Sequence, residues 1–517
     1  MPQIPVAILD KALSTPFTLD EMIQKTASLV PNKIFLVDEE TSLSYSEFLI
    51  LANGLSVLLV SKDFGYGDRL LIATANNVIL PLCLYAASML GGIVVPVNKL
   101  LRGDRLDLVL ADCSPKIIIT DDESFAAKSI KRNPYLIGNR IDFYNLLSKT
   151  SSRQIDKPTV IDLDPILLMY TSGSTGRPKG VALSHSNILS ATESTARYLG
   201  LSSEDRVLNF NPFHFDYGLY QLFLVASRAA TLYIRGNFIF KNELYSMIQS
   251  FNITGLPLVP SHINSMYARP SQENIQFPSV RFLSSTGAPF PLKQIQHLSY
   301  DFPNAKIFSM YGLTECKRVS YLSPAKLSSK PNSVGKAMPN VRIKVVNDQF
   351  VEARPGEVGQ LVVEGRNIMS GYWNDPTQTE KIIKLSSCSR RELLTGDYFH
   401  TDTDGDLFFH GRKDDLIKTA DIRISLKDIE FLLNKISGVR ESAVVSLPDE
   451  IYENVIIAFV EPFDGSSIDE QFLRSSLRDQ VESPYMMPKR IHVVDKLPRI
   501  PNGKTDYEAL KRAALSA

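Results

Sequence analysis

Net charge is the first thing this chain lacks: its 517 residues carry 56 Lys and Arg against 56 Asp and Glu. No basic excess marks a nucleic-acid footprint, so a nucleic-acid partner is not expected. Cysteine is scarce. The four thiols, Cys83, Cys113, Cys316 and Cys388, show no Cys-x-x-Cys spacing and no histidine in metal-ligand register. They read as free thiols in a reducing compartment, which excludes a disulfide framework and a structural zinc site. Residues Met1 to Glu21 carry Asp10, Lys11 and Asp20 without a basic start and a following apolar run, so no secretory leader is expected and the cytoplasm is the expected location. Unbroken apolar runs are missing too. The uncharged stretch Val78 to Val97 approaches the length of a membrane span, but Pro81, Gly91-Gly92 and Pro96 divide it into a helix, a turn and the β-branched strand Ile93-Val94-Val95. No membrane span is expected.

What is present describes a soluble globular chain, 44% hydrophobic and 22% charged, and too long for a single core. Strand-like runs at Lys33–Val37, Arg69–Ala73, Ile93–Val97 and Lys116–Thr120 alternate with helical patterns, which predicts parallel sheets with helical crossovers. Beyond about Pro331 come closely spaced strands, Arg342–Val346, Gly359–Val363 and Gly405–Phe409, read as a small antiparallel β subdomain over about 330–412. From Lys413 onward the helices Leu426–Lys435 and Asp469–Val481 and the strands Glu441–Leu447 and Val455–Val460 predict a small α+β domain. The fold class is α/β, with domains expected at 1–412 and 413–517.

The most informative run is Tyr170-Thr171-Ser172-Gly173-Ser174-Thr175-Gly176-Arg177-Pro178-Lys179-Gly180-Val181. Glycines let successive backbone N–H groups turn toward anionic oxygens, and the hydroxyls add donors, so the run suits a polyphosphate. It is not a Walker A loop, because Pro178 stands where the second glycine is required, and Gly503-Lys504-Thr505 fails the same test at Pro498.

Six further segments follow in order: Ser285-Thr286-Gly287-Ala288-Pro289, Tyr311-Gly312-Leu313-Thr314-Glu315, Gly371-Tyr372-Trp373, Thr395-Gly396-Asp397, Gly411-Arg412-Lys413-Asp414-Asp415 and Pro498-Arg499-Ile500-Pro501-Asn502-Gly503-Lys504. Together with Gly356-Glu357-Val358-Gly359 they make the chain resemble the AMP-forming adenylating superfamily of acyl-CoA ligases, luciferases and peptide-synthetase adenylation domains. The resemblance implies a large N-terminal domain with two stacked βαβ-type sheets, and a mobile C-terminal lid hinged at Asp414. It implies ATP and Mg²⁺ as cofactors. Thr171, Ser172, Gly173, Ser174, Thr175, Gly176 and Lys179 would hold the phosphates; Gly287, Ala288, Pro289, Met310, Tyr311 and Gly312 would face adenine; Asp397, Phe409 and Arg412 would border the ribose. Thr314 would donate to the α-phosphate, Glu315 would carry Mg²⁺, and Lys504 would bridge the attacking carboxylate and the α-phosphate. The implied reaction forms an acyl-adenylate with loss of pyrophosphate, then a thioester with loss of AMP. One departure touches the second step: the usual glycine of Lys-x-x-Gly-x-Arg is Asp421 in Lys418-Thr419-Ala420-Asp421-Ile422-Arg423, although Asp tolerates positive φ better than most residues.

The same alignment borders the acid with His214, Asp216, Tyr217, Tyr220, Pro257, Ser284, Ser285, Thr286 and Arg318. Pro212-Phe213-His214 is similar to acyl-CoA ligases, whereas Phe215-Asp216 is similar to amino-acid-activating domains, in which the aspartate pairs with the substrate ammonium. An unpaired carboxylate there would carry a desolvation cost, which an amine would relieve. The expected substrate is therefore a small amino acid, acidic or β-amino if Arg318 takes a second carboxylate; the alternative for Asp216 is a solvent-facing or arginine-paired carboxylate. With no carrier motif after the lysine loop, a separate phosphopantetheinylated carrier protein is the expected acceptor. Free coenzyme A with a fatty or other acid is the alternative, and a non-catalytic nucleotide-binding relative the alternative of another class.

Overall fold

The computed structural model describes residues 16–129, 135–138, 140–151, 153, 155–172, 178–236, 241–267, 275–286, 292–386, 388–412, 416–419, 422–449, 453–466, 468–478, 480–481, 486–500 and 505–516. The chain divides into two compact units, residues 1–343 with 362–394, and residues 344–361 with 395–517. It is a mixed α/β protein with a large N-terminal and a smaller C-terminal part, as its alternating strand and helix patterns predict.

The larger unit is built on two sheets. In the first, strands Arg69–Ala73, Ile93–Pro96 and Ile117–Thr120 run parallel, and Ile93–Pro96 continues parallel to β1 (Pro165–Ser172). The antiparallel partner of β1 is β2 (Pro178–Ser184), in a register that sets Thr171 opposite Lys179 and Ser172 opposite Pro178. The phosphate-loop motif thus begins and ends in paired strands. These strands bury their apolar residues on both faces, as the uninterrupted Leu70-Leu71-Ile72 and Ile117-Ile118-Ile119 runs require. The suspected membrane stretch becomes the buried helix Ile79–Met89 followed by Ile93–Pro96. No helix among the described residues is long and apolar enough to cross a membrane.

The second sheet positions the site. Helix α1 (Asp216–Ser227) is buried along its whole length, as its near-continuous apolar sequence demands. It begins tight against the preceding loop: a Cβ on Gly218 would lie 2.4 Å from the carbonyl oxygens of Asn211 and Pro212, so a side chain there is excluded. Parallel strands β3 (Gly255–Leu258), β4 (Phe282–Thr286) and β5 (Lys306–Tyr311) follow, paired in that order. The short strand β6 (Ser320–Tyr321) returns antiparallel to β5, pairing Tyr311 with Ser320. The turn between β5 and β6 is held by Cys316 N donating to Leu313 O at 3.1 Å and Val319 N to Tyr311 O at 3.0 Å. Its folding is close enough that a Cβ on Gly312 would lie 2.0 Å from Lys317 O. Strand β7 (Gly371–Tyr372) adds to β2, pairing Tyr372 with Val181.

In the smaller unit, β8 (Arg391–Thr401) and β9 (Leu407–Arg412) form a hairpin in which Asp397 faces Arg412. Strands Val439–Asp449, Glu453–Pro462 and Arg490–Val493 make a separate sheet. Helices Leu426–Asn434 and Glu470–Arg478 cover it, burying Ile429, Leu433 and Leu473 against Val444 and Val460. These match the helices and strands read from the sequence to within a few residues at each end.

Candidate active site

Within the larger unit, the β5–β6 turn gathers the functional side chains. Thr314 and Glu315 lie half-buried in it, and Lys317 and Arg318 are buried. Lys317 adopts φ 56°, a left-handed conformation that costs a non-glycine residue of order 1–3 kcal/mol and must be held by its surroundings. The holding contacts come from one segment: Asn367 Nδ2 donates to Cys316 O at 2.7 Å and Arg318 O at 2.8 Å, and Met369 N donates to Glu315 O at 2.7 Å. The same segment docks on β2 through Ser370 N to Ala182 O at 2.8 Å and Trp373 N to Gly180 O at 2.7 Å.

This docking brings two parts of the nucleotide machinery together. Tyr372 OH donates to Glu315 Oε1 at 2.9 Å, and Lys179 Nζ lies 5.3 Å from the centre of the Tyr372 ring. The loop lysine and the acidic residue therefore share one tyrosine. Glu315 offers a hard carboxylate oxygen donor of the kind Mg²⁺ takes, so the residue present fits that ion. Tyr311 and Met310 close the strand that carries the turn; Met310 Sδ accepts from Tyr198 OH at 2.8 Å, and Tyr198 stacks on Tyr321 with ring centres 4.0 Å apart.

Several residues expected to border the acid lie on elements packed beside the turn. Tyr217 OH donates to Ser284 O at 2.7 Å, and Tyr220 OH donates to Ile188 O at 2.7 Å. Asn211 Nδ2 donates to Pro257 O at 2.9 Å, joining the α1 approach to β3. Ser285 Oγ is buried with no hydrogen-bond partner among the described residues, whereas Thr286 ends the same strand. His214 is held near neutral imidazole by burial, its pKa pulled down to about 4.

Asp216 has cationic neighbours within the chain. Its Oδ1 is already paired with Lys317 Nζ, and Arg318 Nη1 lies 4.0 Å from its Oδ2. The carboxylate thus has an ammonium partner from within the chain. The negative charge also sits at the N-terminal end of α1, where the helix dipole favours it. Burial pulls the Lys317 ammonium below the usual lysine range while Asp216 opposes that shift. The Arg318 guanidinium covers Tyr217 at 4.7 Å and Tyr220 at 5.7 Å from the ring centres.

Lys317, Tyr372 and Asn367 were missed in the sequence. Tyr372 had a signal, since it belongs to a quoted motif, but Lys317 and Asn367 show none without their partners. In the smaller unit Asp397 is buried, with Arg412 Nε 3.3 Å from its Oδ1, and Phe409 packs edge-on against Phe399 at 5.3 Å. Gly173, Ser174, Thr175, Gly176, Gly287, Ala288, Pro289, Asp414, Asp421 and Lys504 lie outside the described residues, as does the side chain of Ser172.

Comparison with known proteins accords with this arrangement. Residues 23–373 match the AMP-binding enzyme family and residues 428–504 match the AMP-binding enzyme C-terminal domain. The chain is 28% identical to indoleacetate–CoA ligase of Aromatoleum aromaticum, over 96% of this chain and 98% of that protein. It is 27% identical to the long-chain-fatty-acid–CoA ligase FadD13 of Mycobacterium tuberculosis, over 93% and 96%. ATP-bound MatB from Rhodopseudomonas palustris shares the fold with TM-score 0.85 at 23% identity, covering 96% of this chain and 98% of that one. O-succinylbenzoate coenzyme A synthetase from Bacillus subtilis, in complex with ATP and magnesium ion, superposes with TM-score 0.84 at 25% identity over 95% and 99%. The chain belongs to the AMP-binding enzyme family: it is an AMP-forming acid–thiol ligase that uses ATP to activate an acid as its acyl-adenylate.

Proposed function

We propose that this ligase activates a carboxylic acid without an amino group and transfers the acyl group to coenzyme A. The observation that carries the first half is the Lys317–Asp216 pair: an incoming ammonium would meet a carboxylate already satisfied and a lysine of its own sign. Two relatives that match over nearly their full length bear the names of CoA ligases, which supports the second half. In the proposed chemistry a carboxylate oxygen attacks the α-phosphorus of ATP as pyrophosphate leaves, and the thiol sulfur then attacks the acyl carbon as AMP leaves. Lys179 would neutralise charge on the departing phosphates, and Thr314 would hold the α-phosphate. Glu315, oriented by Tyr372, would hold Mg²⁺, which when bound supplies charge neutralisation to the phosphate oxygens. Lys504 is assigned by its motif alone to the meeting of carboxylate and phosphate.

The test is incubation of the full chain with ATP, Mg²⁺ and mixed acids, with coenzyme A in one arm and a holo carrier protein in the other. Mass spectrometry should find acyl-CoA with stoichiometric AMP, and Lys504→Ala should lower adenylate formation by ~10²-fold or more while leaving ATP binding in place. Acyl-carrier as the sole product would return the acceptor to a carrier protein; undiminished turnover by Lys504→Ala would remove that residue's role.

A further inference from the structure

Asp216, Lys317 and Arg318 form a buried charge cluster. Their side chains are 9%, 1% and 4% exposed, and one carboxylate is shared between two cations. Asp216 Oδ1 is taken by Lys317, and its Oδ2, at 4.0 Å from Arg318 Nη1, is beyond hydrogen-bonding range. The Arg318 side chain therefore has no hydrogen-bond acceptor among the described residues. Tyr217 and Tyr220 cover the cation's face, which is a favourable contact but satisfies none of the N–H groups at its edge. Asp216 is thus an ion-pair partner of Arg318 at 4.0 Å and not a hydrogen-bonded one, which leaves the guanidinium fork able to take a second carboxylate. Glu315 is the next carboxylate, and one of its oxygens already accepts from Tyr372.

The missing partner has a definite chemistry. A planar fork of N–H donors matches the two oxygens of a carboxylate. Arg318 stands between the turn carrying Thr314 and Glu315 and the Tyr217 face of α1, whose hydroxyl contacts Ser284 on β4. An acid lying along that wall would have one end toward the turn's nucleotide residues and the other beside Arg318. We propose that the acid activated is a dicarboxylic acid, its non-reacting carboxylate held by Arg318 while Lys317 keeps Asp216 from competing for that cation. This rests on the activation reading above and adds the substrate class to it.

ATP–pyrophosphate exchange by the wild-type chain tests it without relying on any variant's folding. The substrates are linear diacids from succinate to suberate and the three benzene dicarboxylic acids, each against its own monomethyl ester. The diacid of at least one pair should be preferred over its half-ester by about 10²-fold in kcat/KM, the scale of one buried charge pair. Arg318→Gln should collapse that preference to a few-fold, and Arg318→Lys should retain part of it. Half-esters and plain monoacids turning over as well as every diacid would overturn the proposal and leave the activation reading standing. No acid supporting exchange would overturn both.

Discussion

At the scale of single residues, one ion pair decides how the acid site is read. Removing Lys317 alone would strand the Asp216 carboxylate in a site where its side chain is only 9% exposed. Lys317→Met should therefore cost about 3–5 kcal/mol of unfolding free energy, the range for breaking a buried pair from one side. The double variant Lys317→Met, Asp216→Asn should recover about 2 kcal/mol or more of that, read as coupling in a denaturant-unfolding cycle. Strict additivity would show that the two groups do not interact. Tyr372 is the second test. Tyr372→Phe deletes the hydrogen bond to Glu315 and should raise the Mg²⁺ concentration for half-maximal exchange by about tenfold, the worth of one hydrogen bond to a charged group. Neither residue's role was legible beforehand. Lys317 follows a cysteine in a turn and shows no periodicity, and its partner lies 101 residues away in the chain. Asp216 was visible as a carboxylate needing a cation, but the sequence offered no way to choose between a substrate amine and a lysine brought close by the fold.

Among elements, the β5–β6 turn depends on the segment that leads into β7. Asn367 is fully buried and gives both amide hydrogens to carbonyls of that turn. Asn367→Ala should lose about 2 kcal/mol of stability and raise KM for the acid more than it lowers kcat, because it frees the turn carrying Arg318 without touching the phosphate loop. Asn367→Asp should be worse than Ala, since a carboxylate aimed at two carbonyl oxygens repels both. An unchanged KM in both variants would show that the turn holds itself. Strands were the legible part of the architecture: Arg69–Ala73 stands where its apolar β-branched texture puts it. The phosphate-loop run was less so. Its ends lie in β1 and β2, because Tyr170 and Thr171 suit a strand and Val181 pairs with Met169, and pairing of that kind leaves no mark in either segment alone.

For the molecule as a whole, one buried histidine and two half-buried ones tie stability to pH. Burial pulls His185, His214 and His262 down to about 4, so all three are neutral in the fold at pH 5. In the unfolded chain a histidine takes up its proton near 6.5. Between those values the unfolded state holds more protons, so stability rises with pH across the window and falls on acidification. His185 shows why structurally: its Nδ1 accepts from Leu19 N at 3.1 Å, which a protonated ring could not do. Lowering the pH from 7 to 5 should cost about 2 kcal/mol for His185, seen as a lower Tm, and His185→Asn should flatten the slope. A Tm indifferent to pH over that range would contradict the assignment.

The family and the ATP-dependent chemistry were readable from ordered motifs, because polyphosphate recognition demands particular small residues at particular spacings, whereas the observed units, 1–343 with 362–394 and 344–361 with 395–517, do not divide at residue 412. The acid was not readable, because the recognition proposed for it draws on α1, β4 and one turn, which are far apart in the chain. ATP–pyrophosphate exchange with matched acids, each offered with and without an α-amino group, tests that assembly most directly. The account predicts exchange with the amine-free acid and loss of it when the amine is added; exchange confined to the amino-bearing member of each pair would contradict it.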